Sequence, residues 1–211
     1  MTRRHVEVRH PVLASVYDGF MCPQERLLGI GRQRRRLVEE VQGRVVEIGF
    51  GTGLNLPHYP PVEQLVAVEP DPHMRRRAAK RLASVELPFP VELLDAPAEQ
   101  LPLPDGTADT VVACLVFCTI GDVRVALAEV RRVLAPDGRL LLLEHVRSDI
   151  PVVTWFQHAA TPLWRNLAGG CHLDRRTVIE VEAAGFTFEH LWRSGDGRGS
   201  FVQGRARAAT D

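Results

Sequence analysis

Apolar positions along the chain follow two different periods. Across residues 11–41 they recur at helical spacing. Leu13, Val16, Tyr17 and Phe20 form one stripe; Leu27, Leu28, Ile30, Leu37, Val38 and Val41 form a second, interrupted near Gly29 and Gly31. From Arg44 onward, short apolar runs alternate with amphipathic stretches. Residues 44–48, 64–69, 91–94, 109–116 and 139–146 read as strands, and residues 72–84 and 123–134 as helices. The 72–84 helix opens on an Asp-Pro pair, and the 123–134 helix stops at Pro136-Asp137-Gly138. The 109–116 run is apolar throughout, as a parallel strand covered on both faces should be. Strands alternating with helices predict an α/β fold with a right-handed parallel sheet. Residues 152–167 read as a helix carrying Trp155, Phe156, His158 and Trp164, with Pro162 inside it. Asp174 is read as the cap of a helix to Ala184, and residues 186–192 and 200–206 as two closing strands.

Composition narrows the function classes. With 211 residues and no repeats or linkers, one domain is expected over 1–211. Its parts are a helical lid (1–42), a ligand-binding core (43–146), and an aromatic cap with closing helix and strands (147–211). The formal net charge is zero, so nothing draws the chain toward nucleic acid. Lys80 is the lone lysine, an arginine bias that codon usage in a GC-rich genome explains. Arg32, Arg34, Arg35 and Arg36 read as a solvated helix face, or as a contact for an anionic substrate or lipid headgroup. Cys22, Cys114, Cys118 and Cys171 form no C-x-x-C pair and are expected as free thiols. The basic start of the chain is followed by no apolar signal region, and no window approaches the roughly 18 apolar residues of a membrane span. The expected location is cytoplasmic, with peripheral membrane contact left open.

The sharpest motif is Glu47-Ile48-Gly49-Phe50-Gly51-Thr52-Gly53, read as following a strand and preceding a helix. Glycines allow a tight turn and a close backbone approach to a ligand. Twenty residues beyond Gly49, Glu69 ends the second strand, where a carboxylate accepts ribose hydroxyls. A dinucleotide loop needs glycine at position 54, and Leu54 stands there. Glu47 would also repel a pyrophosphate, whereas it favours the ammonium group of S-adenosylmethionine (SAM). These features point to SAM and against a nicotinamide oxidoreductase.

On these residues the sequence resembles the class I SAM-dependent methyltransferases across residues 43–146. VVEIGFGTG, VAVEPDP, APAEQLPLPDGTADTVVACLV and RRVLAPDGRLLLLEHV are similar to that family's successive motifs. The resemblance implies a Rossmann-like seven-stranded sheet, mostly parallel with an antiparallel last strand, and helices on both faces. It implies cofactor contacts at Glu47, Gly49, Gly51, Gly53, Glu69, Pro70, Ala98, Glu99 and Leu115, with Phe50, Asn55 and Val116 beside them. Pro97 replaces the aspartate that many relatives place before the Ala-Glu pair, which leaves adenine to backbone groups near Ala98. GTGLNLPHYP, LVFCTIGD, and EHV followed by WFQH, PLW and GGCHLDR further resemble the methyltransferase-like alkyl-thiol methyltransferases. The first residues are also similar to phospholipid N-methyltransferases and quinone-type methyltransferases.

Methyl transfer needs alignment of donor and acceptor and, where required, removal of a proton. A thiol near pKa 8.5 supplies its own thiolate fraction, so one modest base is enough. His145, at the carboxyl end of the fifth strand, is the candidate base; the alternative is a structural histidine. Glu144 either orients it or bonds backbone. Tyr17 is a candidate lid residue over the cofactor. Cys118, Trp155, His158 and Trp164 are the expected walls of an apolar acceptor pocket. Gly170-Cys171-His172 lacks the cluster a metal needs, so no metal is expected. The reading that emerges is SAM-dependent methylation of a small molecule, yielding S-adenosylhomocysteine, with a thiol as acceptor. A phospholipid headgroup or quinone-type substrate is the alternative, and a silent SAM-binding module a further one. A nucleic-acid methyltransferase is disfavoured, since Leu115-Val116-Phe117-Cys118 stands where its Asn/Asp-Pro-Pro-aromatic motif would be.

Overall fold

A computed structural model describes residues 29–167 and 170–209, together with Gly19. Tyr17, Cys22 and the first apolar stripe lie outside the described residues. Seven strands form one sheet: β1 (Arg44–Ile48), β2 (Gln64–Val68), β3 (Val91–Leu94), β4 (Ala108–Cys114), β5 (Leu134–His145), β6 (Phe186–Arg193) and β7 (Phe201–Ala208). Their order is β3-β2-β1-β4-β5-β7-β6. The pairings from β3 to β5 are all parallel, and β7 runs antiparallel between β5 and β6. The resemblance predicts this architecture, antiparallel last strand included.

Helices cover both faces. α1 (Ile30–Val38) and α2 (Pro72–Ala83) lie on one side, where Ile30, Leu37, Val38 and Ala78 pack with Val45, Leu65, Val112 and Leu141. α3 (Val123–Val133) and α5 (Thr177–Ala183) lie on the other, where Leu127, Val130 and Val181 meet Val46, Val111 and Leu140. Strand side chains alternate between faces, so β5 sends even-numbered residues to the α3 side and odd-numbered ones to the α1 side. α4 (Pro151–Leu167) follows β5.

Three expectations are corrected. Arg34 does not join a solvated face: it is 5% exposed, because it falls on the helix stripe of Ile30, Leu37 and Val38 that packs on the sheet. Asp174 caps no helix; its carboxylate is held by His158, and α5 begins later, behind Arg176. β5 starts at Leu134, ahead of the Pro-Asp-Gly turn, since Leu134 pairs with Ala108 before the regular ladder opens at Arg139. α2 begins as the sequence predicts, with the Asp71 carboxylate accepting from the backbone N–H groups of His73 and Met74.

Candidate functional site

Chain order reverses at β1, between β2 and β4, so the crevice at the carboxyl ends of these strands is the ligand position of an open α/β sheet. The glycine loop fills one side of it. Gly49 turns with φ 64°, and a Cβ there would lie 2.1 Å from Val116 Cγ2. Only glycine lets the loop press against the segment after β4. Gly51 has φ 60°, but a Cβ there would find nothing nearer than the Gly49 carbonyl oxygen at 3.9 Å. That opening is room for a ligand against bare backbone. Phe50 N–H donates to Val68 O at 3.0 Å and ties the loop to β2.

Glu69 stands where β2 ends. Gly51 N–H donates to its Oε2 and Asp71 N–H to its Oε1, both at 2.8 Å. Each oxygen keeps a further lone pair for a ligand hydroxyl. Burial pushes the carboxyl up to about 7, and the two N–H groups oppose that rise. The residues present therefore fit a nucleoside. A cradle without side chains borders an acid whose free lone pairs suit ribose.

Glu47, expected to neutralise the SAM ammonium directly or through water, lies beneath the loop. Its carboxylate is 2% exposed, and both oxygens are engaged from within, by Asn55 Nδ2 at 2.6 Å and the Tyr59 hydroxyl at 2.7 Å. Arg34 donates to Asn55 Oδ1 at 2.7 Å and to Cys114 Sγ at 3.3 Å. This buried network underpins the loop from below, so direct contact with a ligand ammonium is not the geometry seen. Burial raises Glu47 to about 7, against the pull of Tyr59, Asn55 and Arg34. Sequence reasoning missed Arg34, Tyr59 and Cys114. The position of Arg34 on an apolar helical stripe was the available signal.

The segment after β4 forms the opposite wall. Leu115 has φ 56°, a left-handed conformation that a leucine rarely takes. Beyond it the chain turns, and Glu144 holds the turn. Its Oε1 accepts from Val116 N–H at 2.8 Å and Phe117 N–H at 2.9 Å, and its Oε2 accepts from Cys118 N–H at 3.3 Å. Glu144 thus bonds backbone rather than orienting His145, from which strand alternation separates it. Arg175 Nη1 braces the same turn through the carbonyls of Phe117 at 2.6 Å and Ile120 at 2.7 Å. Beyond β3, Ala98 is buried, and the Glu99 carboxylate accepts from Asp122 N–H at 3.3 Å rather than standing free. Pro70 is half-buried beside Glu69.

The predicted acceptor residues divide into separate groups. The His145 ring packs edge-on against Phe201 with centroids 5.1 Å apart, and its Nδ1 has no partner among the described residues. Burial lowers its pKa to about 4, so the ring is neutral in the working range. Cys171 joins Cys118 to Trp164 through side-chain hydrogen bonds, and His172 N–H donates to Cys118 O at 2.8 Å. His158 and Trp155 instead line a cavity of about 500 Å³ with Arg147, Ser148, Asp149 and Thr154. Within this group His158 Nδ1 bonds Asp174 Oδ2 at 2.8 Å. Trp155 and Phe156 are 70% and 65% exposed, and the polar side of α4 faces the protein. Tyr17 lies outside the described residues. Cys114, Cys118 and Cys171 are free thiols. Among the described residues there is no metal-ligand cluster, and no helix is long and apolar enough to cross a membrane.

A family profile described as a methyltransferase domain matches residues 46–142. The chain is 34% identical over 167 residues to thiol S-methyltransferase TMT1B of Homo sapiens, covering 74% of this chain and 68% of that protein. It is 32% identical over 119 residues to the phosphatidylethanolamine N-methyltransferase of Cereibacter sphaeroides, covering 55% of this chain and 59% of that protein. The chain spans about two thirds or less of the length of these curated relatives. A solved DhpI–SAH complex shares the fold, with TM-score 0.68 and 17% identity over 95% of this chain and 94% of that one.

Proposed function

The chain belongs to the class I SAM-dependent methyltransferases, and from that premise we propose that it methylates the sulfur of a small thiol. SAM supplies an activated methyl group when bound, and S-adenosylhomocysteine is the product. In the exchange a bond forms between the acceptor sulfur and the methyl carbon as the donor's sulfur–methyl bond breaks, and the thiol proton passes to solvent.

His145 carries the choice of acceptor. A neutral imidazole whose conjugate acid lies near 4 is too weak a base to take a proton from an alcohol. Its Nδ1 is buried and has no partner among the described residues, and a thiol that reaches the ring would supply the missing hydrogen bond and be aligned by it. The thiol needs no more, because a few per cent is already thiolate at neutral pH. The 34% identity to a thiol S-methyltransferase supports the same acceptor. On this reading Glu69 accepts the ribose hydroxyls, and Gly49, Gly51 and Gly53 bring backbone against the donor. Ala98 and Leu115 flank the adenine. Glu47 acts at one remove, through Asn55 and Tyr59.

The deciding experiment offers SAM with hydrogen sulfide, a hydrophobic thiol, a quinol and phosphatidylethanolamine, and follows S-adenosylhomocysteine release. Turnover is expected with the hydrophobic thiol. Turnover with the quinol or the phospholipid alone would reject sulfur as the acceptor atom. In the same assay His145→Ala should lower kcat/KM about tenfold or less, the worth of one hydrogen bond, with the pH profile still following the thiol. A loss of the order of 10²–10⁴ would make His145 a true general base. Glu69→Ala should raise the SAM dissociation constant roughly 5- to 150-fold, equivalent to about 1–3 kcal/mol. A calorimetric titration giving the wild-type constant would remove Glu69 from the site.

A further inference from the structure

The connection between α4 and α5 lies against the turn that follows β4. His172 N–H donates to Cys118 O at 2.8 Å, and a Cβ on Gly170 would stand 3.6 Å from Thr119 O. This backbone contact brings two sulfurs together, and the Cys118 and Cys171 side chains share a hydrogen bond. The methyl-transfer chemistry draws on neither thiol. The two are not equivalent. Cys118 is buried, and its bond to Cys171, its burial and the nearby Glu144 carboxylate hold its thiol well above the ordinary range. Cys171 is half-buried. The bond from Cys118 lowers its thiol, helped by a second bond from Trp164 and by the Arg175 charge, and burial opposes them. Arg175 Nη1 is bonded to the carbonyls of Phe117 and Ile120, which carry no charge to offset its own. A partly accessible sulfur beside a cation is the setting of a reactive cysteine. A second thiol in contact with it lets oxidation end in a disulfide.

We propose that Cys171 is a modification site for hydrogen peroxide and that Cys118 resolves the product to a disulfide. Peroxide is small enough to reach a half-buried sulfur. The Cys171 thiolate attacks one peroxide oxygen, the O–O bond breaks, and the other oxygen leaves as water after taking up a proton. Cys171 is then a sulfenic acid. The Cys118 sulfur attacks it, the S–S bond forms, the S–O bond breaks, and the Cys118 proton leaves with that oxygen in a second water. Together the two thiols give up two electrons and two hydrogens, and the peroxide is reduced to two waters. The link would join the α4–α5 connection to the turn that Glu144 and Arg175 brace, which is the wall of the crevice opposite the glycine loop. Oxidation would therefore hold that wall in one arrangement until a reductant opens the bond.

The test treats the full chain, without SAM, with a small excess of hydrogen peroxide and follows intact and peptide masses after alkylation of the remaining thiols. The wild type should lose two hydrogens in mass, yield one peptide pair joined through Cys118 and Cys171, and regain both thiols with dithiothreitol. Cys118→Ser should stop at the sulfenic acid, trapped on Cys171 by dimedone. Cys171→Ser should slow the oxidation of Cys118 at least about tenfold, since a buried thiol without a thiolate neighbour reacts poorly. A wild type that keeps all its thiols overturns the proposal. So does a link through Cys22 or Cys114, dimedone on Cys118 rather than Cys171, or a Cys118 that oxidises as fast without Cys171. None of these masses depends on methyl transfer, so failure here leaves the thiol-methylation reading to its own assay.

Discussion

Glu47→Ala should lower the Tm by roughly 4–24 °C, because it leaves two buried donors unmade at about 1–3 kcal/mol each and each kcal/mol shifts a domain of this size by about 2–4 °C. The substitution strands three groups at once. Asn55 Nδ2 and the Tyr59 hydroxyl lose their acceptor, and the Arg34 guanidinium loses the nearby negative charge. None can turn to water, since Arg34, Asn55 and Tyr59 are all buried. Glu47→Gln keeps an acceptor for Asn55 and should cost clearly less. A thermal melt compares the two. Equal, small losses would show that the network contributes little and that the loop is held by Phe50 and its bond to Val68. SAM affinity should fall with Glu47→Ala as well, through the loop that rests on this network.

The fold was legible because its signals are local and periodic. The strand runs, the Asp71 cap and the glycine loop each follow from a few adjacent residues. The misreadings share another cause. Arg34 and Asp174 are charged, and a charged residue reads from its local sequence as solvated or as a cap. Each instead meets a partner distant in sequence: Arg34 reaches Asn55, and Asp174 reaches His158. Nothing in the local pattern reveals such pairs. Arg34 alone carried a local sign, since it shares an apolar stripe with Ile30, Leu37 and Val38. α4 shows the opposite error. Aromatic residues at helical spacing implied burial, but Gln157 and Thr161 won the inner face because Ser148 N–H and Val146 O lie beneath them as partners. Polar groups under a helix decide which face packs, and they lie outside the helix's own sequence.

Glu144→Ala should be as damaging as Glu47→Ala, for a different reason. It deprives three consecutive N–H groups, those of Val116, Phe117 and Cys118, of their acceptor. Each buried donor left unmade costs about 1–3 kcal/mol. The turn they hold is the wall that Gly49 packs against, so the SAM-induced rise in Tm should shrink or vanish. An intact Tm and an intact SAM response would show that Arg175 alone braces the turn. The pH dependence gives an independent check. Burial raises Glu144 to about 8, and Glu47 and Glu69 to about 7. A carboxyl that holds its proton more tightly when folded stabilises fully below its unfolded pKa, near 4.5, and loses that contribution as the pH rises through the folded value. His145 works in the other direction. Its folded pKa of about 4 lies below the ordinary 6.5, so its contribution is lost as the pH falls through that range. Stability should therefore peak on the acid side of neutrality and decline toward alkaline pH. Glu144→Gln retains a carbonyl acceptor but does not ionise, so its decline should be shallower than that of the wild type. A wild-type Tm that rises between neutral and alkaline pH would mean that these carboxylates are ionised in the folded protein without penalty.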